Sequence, residues 1–450
     1  MAQPVTNETA TGSRPHLQRV LGLPALVFFG LAYMVPLTVF TTYGIVTDST
    51  QGHLPGAYVI TLAAMLFTAY SYGRMVAIHP VAGSAYSYAQ RGFGGHTGFM
   101  VGWSLLLDYL FLPMVNYLVI GIYMADATGI PAPVWVVGSI VLVTLLNVLG
   151  VKLLAGVNVA LVGIQFVFIA VFVLLSVRHL SGNEVPSLTE PFFTGAEPGL
   201  LFGGAAVLAL SFLGFDAIST LSEETRDPRR TIPRAIIIAT LTGGILYILL
   251  SWVSALVFPE WQTFSNVDSA SLDVMARVGG DFLTTFFTAA YVAGCFASAM
   301  ASQAGVSRIL FAMGRDGTLP RAFFGRLSRR FGTPVLATLL VGLISCSALF
   351  VDLTLAAAVV SFGALVAFSV VNASVVKVYV VDENHRSPAD LVRYGLIPAV
   401  GLILTLWLWT SLSRTTFTVG LIWVAVGLVY LVLLTRGFRR PAPTLDLREE

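Results

Sequence analysis

The chain has 450 residues, 56% of them hydrophobic and only 11% charged, with a mean hydropathy of +0.84. A soluble globular protein carries roughly 25% charged residues, so this composition excludes one and requires an integral membrane protein. The formal net charge of +2 decides nothing by its size, and the information lies in where the charges fall.

Residues 1–20 are polar, and no convincing cleavage site follows the first apolar run, so they read as a cytoplasmic tail rather than a removable signal. About twenty apolar residues cross a bilayer as a helix. Twelve such runs follow, at 21–47, 57–78, 96–124, 133–150, 155–177, 199–224, 235–258, 282–313, 334–351, 355–380, 392–411 and 416–436. They are called spans 1 to 12 below. Residues 437–450 form a second polar tail. Cys295 and Cys346 lie in apolar runs and give no disulfide framework. The six histidines are scattered without metal-ligand spacing, so no metal and no cofactor is expected.

Of the 25 basic residues, only Arg178, Arg277 and Arg414 fall on one side of this twelve-span topology; the rest crowd the other. The positive-inside rule places that arginine-rich side, with both termini, in the cytoplasm. The opposite side carries Asp48, Asp126, Glu184, Glu190, Glu197, Glu260, Asp268, Asp273, Asp281 and Asp352. An acidic mouth concentrates cations, although it is also the plain complement of a basic interior.

Span 1 is interrupted midway by Gly30, Ala32 and Pro36, since proline removes a donor and clashes with the preceding turn. Span 3 carries Asp108 beside Tyr109, well inside the run. An acid next to a tyrosine suits an ammonium receptor, or else Asp108 bonds a neighbouring helix. Between spans 2 and 3, HPVAGSAYSYAQRGFGG (79–95) reads as a short amphipathic segment on the arginine-rich side. Span 6 mixes small and aromatic residues, Ser211, Phe212, Leu213, Gly214 and Phe215, just before Asp216, and runs on to Glu223, Glu224 and an arginine cluster. Ionisable residues at membrane depth mark function by default. Unsatisfied backbone is tolerated there only beside protein or a water-filled cavity. Spans 1 and 6 stand five apart, and interruptions at matching places in two halves point to a transporter's midplane site. Residues 21–177 and 199–380 therefore read as inverted repeats of five helices, with 392–436 appended.

Four blocks carry a resemblance to a known family: PVAGSAYSYA at 80–89, GWSLLLDY at 102–109, GFDAISTLSEET with PRRTIPRAI at 214–236, and SRILFAMGRDGTLP at 307–320. With them the chain resembles the amino acid–polyamine–organocation superfamily. Within it, GLAYMVPLTVFTTYGIV, LDYLFLPM and SFLGFDAISTLSEET look most like putrescine importers of the PuuP type. The resemblance implies an all-α membrane protein of the LeuT-type fold with helices 1 and 6 unwound at mid-membrane. It implies a substrate site at Ala32, Tyr33, Met34, Val35 and Pro36 of span 1 and at Ser211, Phe212, Gly214, Phe215 and Asp216 of span 6, with Asp108 and Tyr109 from span 3. Some proton-coupled relatives carry a lysine on helix 5; here the equivalent is Gln165, which leaves the site without a fixed cation.

The expected function is import of a small organic cation, putrescine first, by proton symport across a bacterial-type inner membrane. Glu223 is the first candidate for coupling, with Glu224 beside it and Asp216 second. The competing expectation is an amino acid transporter of the same fold, whose substrate carboxylate would dock on backbone amides at the broken helices. A channel would need a filter or pore ring, and an enzyme a catalytic cluster; neither pattern occurs. A substrate-sensing receptor remains open on sequence grounds. The expected partners are the substrate, protons and the lipid bilayer, with no nucleic acid; the sequence leaves the oligomeric state open.

Overall fold

The computed structural model describes residues 21–80, 84–149, 154–182, 186–222, 225–315, 319–328 and 333–442. Every extended segment among them is helical, because in lipid a backbone must satisfy its polar groups within its own segment. Buried hydroxyls follow the same rule: Thr68, Thr240 and Ser369 donate to the carbonyls of Ala64, Ile236 and Leu365, one turn back.

Among the described residues eleven helical segments are long and apolar enough to cross a membrane, and they coincide with spans 1–8 and 10–12. The ninth is a shorter apolar helix, Val335–Leu349. Span 8 begins and ends close to where it was expected. Its helix runs over Ala270–Arg315 but breaks at Gly280 (φ 58°, ψ −152°), so the piece before Gly280 is a separate short helix outside the expected 282–313. The 79–95 segment contains the helix Ser84–Phe93, which buries Ala85, Tyr88 and Ala89 against the bundle.

Spans 3, 6 and 10 form the centre, with 78% of each crossing window buried, whereas span 12 buries only 17% and lies at the edge. Span 12 is pinned to span 3 by a reciprocal pair. The Trp103 indole N–H donates to the Trp423 carbonyl (2.9 Å), and Trp423 returns the bond to Trp103 (2.8 Å). Spans 2 and 7 approach closely at small residues. A Cβ on Gly244 would lie 2.3 Å from Leu62, so only glycine permits that contact.

At the arginine-rich end the backbone entering span 1 meets the backbone leaving span 6. Leu21 forms a parallel bridge with Thr225, and the Arg226 amide donates to the Leu21 carbonyl at 3.0 Å.

Candidate functional site

Span 1 is helical over Leu23–Met34 and stops where Pro36 removes an amide donor and its ring conflicts with the Ala32 carbonyl. Val35 takes φ 53° and ψ 102°, a genuine outlier for a β-branched residue. A 3₁₀ turn, Pro36–Phe40, and a helix, Tyr43–Ser49, follow. Side chains collect the freed backbone groups. The Met34 carbonyl accepts from the Tyr247 hydroxyl (3.0 Å) and the Thr38 hydroxyl (2.9 Å), and the Leu37 amide donates to Gln165 Oε1 (3.4 Å).

Span 6 breaks at the matching place. Pro198–Leu208 is α-helical and Ala209–Phe212 tightens to 3₁₀; Leu213 is extended and Gly214 has φ +122°, a conformation that favours glycine. The chain resumes as Asp216–Leu221. The Gly214 amide donates to Asp216 Oδ1 (3.2 Å), and the same carboxylate is in reach of the amides of Asp216 and Ala217. Asp216 thus ties down the backbone of the break with its own side chain. The two breaks touch: a Cβ on Gly214 would lie 2.5 Å from Tyr33 Cδ1 and 3.1 Å from the Met34 amide.

Asp108 faces this junction from span 3. Gly363 of span 10 lets the two helices close on each other there, since a Cβ on it would sit 2.6 Å from the Ser104 carbonyl and 3.3 Å from the Asp108 amide. Asp108 is only 4% exposed, and its Oδ1 has no hydrogen-bond partner. Asp108 and Asp216 are within electrostatic reach of one another, and Tyr33 senses both. Among the described residues no lysine or arginine is buried with these two acids.

The structure therefore brings together Tyr33, Asp108, Gly214 and Asp216, with Ala32 and Val35 beside them keeping part of their surface accessible. The other expected site residues are held by contacts of their own. The Met34 side chain packs on Gly243 of span 7, and Pro36 is buried. Ser211 shares a hydrogen bond with Tyr58 (3.1 Å), and Phe212 packs edge-on to Tyr247. Phe215 lies against Tyr72 and Phe368. Tyr109 is half-buried and sits within electrostatic reach of Tyr72. Gln165 braces the span 1 break from span 5. Glu223 and Glu224 lie outside the described residues. Sequence reasoning passed over Tyr72, Tyr88 and Phe368, which complete the aromatic wall around Phe215. A lone aromatic in an apolar run gives no local signal, and Tyr88 was visible only as part of the 80–89 block.

The amino acid permease family matches this chain over residues 25–427. Full-length similarity extends to the low-affinity putrescine importer PlaP of Escherichia coli (strain K12), 41% identical over 98% of this chain and 99% of that protein. The branched-chain amino acid permease BcaP of Bacillus subtilis (strain 168) is 27% identical, covering 95% of each chain. The methylthioribose transporter of the same organism is also 27% identical, covering 96% of this chain and 97% of its own.

Proposed function

The chain belongs to the amino acid permease family and is a multi-pass membrane transporter, and from that premise we propose that it imports a small organic cation, putrescine first, by proton symport with alternating access. The observation that carries the proposal is the pair of buried acids, Asp108 and Asp216, with no buried basic residue beside them among the described residues. Uncompensated buried charge costs several kcal/mol, and a dication set between the two acids would relieve it. The similarity to a putrescine importer supports the same reading.

An amino acid substrate, the reading that the similarity to BcaP favours, would place its carboxylate on amides freed at the break of span 6. The Gly214 amide is already given to Asp216, which leaves less there for an anion. In our reading spans 1–5 and 6–10 are inverted repeats, both termini are cytoplasmic, and the membrane is a bacterial inner membrane. Glu223 and Glu224, near the arginine cluster, carry the coupling proton, with Glu223 foremost.

The physics of coupling cuts two ways. Importing a dication along a negative-inside potential gains about 4.6 kcal/mol per 100 mV, twice the single-charge value, so uniport alone could accumulate putrescine. Proteoliposomes with potential and pH gradient clamped separately decide the matter. Radiolabelled putrescine should accumulate on a pH gradient at zero potential, and Glu223→Gln should abolish that accumulation while sparing exchange. No accumulation on the pH gradient at zero potential would replace symport with uniport. Uptake of an amino acid panel without putrescine would replace the substrate.

A further inference from the structure

Three oxygens near the interrupted spans are buried without a hydrogen-bond partner: Asp108 Oδ1, the Tyr72 hydroxyl and the Tyr88 hydroxyl. Tyr72 and Tyr88 are both 0% exposed. A buried polar group left unpaired costs about 1–3 kcal/mol, so folds keep few of them and each asks for a reason. Here two come from successive segments, the last turns of span 2 and the helix Ser84–Phe93.

Their rings meet. Tyr72 packs edge-on against Tyr88 (5.8 Å), Phe215 (5.6 Å) and Phe368 (5.9 Å), and Phe215 lies 5.2 Å from Phe368. Four aromatic rings thus form a box of touching side chains immediately beside the Asp216 break. The Ser219 hydroxyl, within reach of Tyr88, gives its own hydrogen to the Asp216 carbonyl (2.6 Å), so it can only accept from the Tyr88 hydroxyl and leaves that oxygen's lone pairs free. Both tyrosine hydroxyls lie within electrostatic reach of Asp216, and Tyr72 also of Asp108. Such a box, neutral itself but set in the field of two carboxylates, disfavours an anion. It offers an ammonium group two oxygen acceptors and several π-faces.

We propose that this box is a second ammonium subsite. Asp108 holds one end of an α,ω-diamine, and the Tyr72 and Tyr88 hydroxyl oxygens accept N–H hydrogens from the other, with Phe215 and Phe368 lining the alkyl chain. Asp216, already bonded to the Gly214 amide, acts on the distal ammonium through space. This rests on the organic-cation reading above and adds to it a requirement for two amines at a set separation.

The test compares wild type with Tyr72→Phe and Tyr88→Phe in proteoliposomes, using radiolabelled putrescine and unlabelled butylamine, which has the same carbon chain and one amine. Each variant should raise the putrescine KM roughly three- to tenfold, the size of one lost hydrogen bond. Butylamine inhibition should stay within about twofold, because a single ammonium keeps Asp108. The substrate-free Tm of Tyr72→Phe should not fall, since that hydroxyl has no partner in the fold. An unchanged putrescine KM, or equal weakening of both amines, would overturn the subsite and leave the hydroxyls to buried water or packing. Failure of the wild type to take up putrescine at all would instead sink the organic-cation reading on which the subsite stands.

Discussion

Gly214 and Tyr33 are in contact where spans 1 and 6 cross, and that contact tolerates no side chain: a Cβ on Gly214 would come within 2.5 Å of the Tyr33 ring. Both interruptions are thereby locked to one depth in the bundle. Gly214→Ala must hold an L-residue at φ +122° and also displace Tyr33. The backbone alone costs on the order of 1–3 kcal/mol. We expect a lower Tm and a reduced yield of monodisperse protein, read by fluorescence-detected size exclusion. A Gly214→Ala protein as stable as wild type would mean that the break does not need glycine.

The two acids should respond differently to substitution. Asp108→Asn removes an unpaired charge from a buried place, so the empty protein should keep or gain stability. Its putrescine KM should rise roughly thirtyfold, corresponding to about 2 kcal/mol for one lost buried ionic contact. Asp216→Ala leaves the Gly214 amide without its acceptor and should lower the Tm as well. If both variants lose stability alike, Asp108 is a structural residue.

Tyr109 adjoins Asp108 on span 3 and is half-buried. Tyr109→Ala should raise the substrate KM several-fold with normal surface expression, since one lost cation–π or hydrogen-bond contact is worth roughly 1–2 kcal/mol. Unchanged uptake kinetics would assign Tyr109 to packing.

Gln165 reaches the Leu37 amide at the span 1 break, and a Cβ on Gly294 of span 8 would sit 2.9 Å from its Nε2. Gln165→Lys puts a fixed cation at that place. Even at a separation of roughly 10 Å, like charges repel by about 1–2 kcal/mol in such a medium. Putrescine KM should rise, butylamine inhibition should weaken less, and Gln165→Glu should shift both the other way. Identical losses in the Lys and Glu variants would mean that the amide braces the break and its neutrality is incidental.

The breaks were legible because their causes are local: Pro36 lacks an amide hydrogen, and Gly214 precedes an acid in an apolar run. Asp108 was legible because a carboxylate in lipid is anomalous wherever it falls. The aromatic box was not, since Tyr72, Tyr88, Phe215 and Phe368 come from four segments and only tertiary packing brings them together. Nor could sequence tell that Met34 and Phe212 turn toward span 7, because helix rotation depends on which neighbour offers room, here Gly243 and Tyr247.

The bridge between Leu21 and Thr225 gives the molecule its own clock. The Arg226 amide is bonded to the Leu21 carbonyl at 3.0 Å, so it is shielded while the entry of span 1 and the exit of span 6 stay together. Each separation of those two backbones frees it to trade its hydrogen with solvent. The deuterium uptake of that one amide, compared with and without substrate, counts how often these two backbones part.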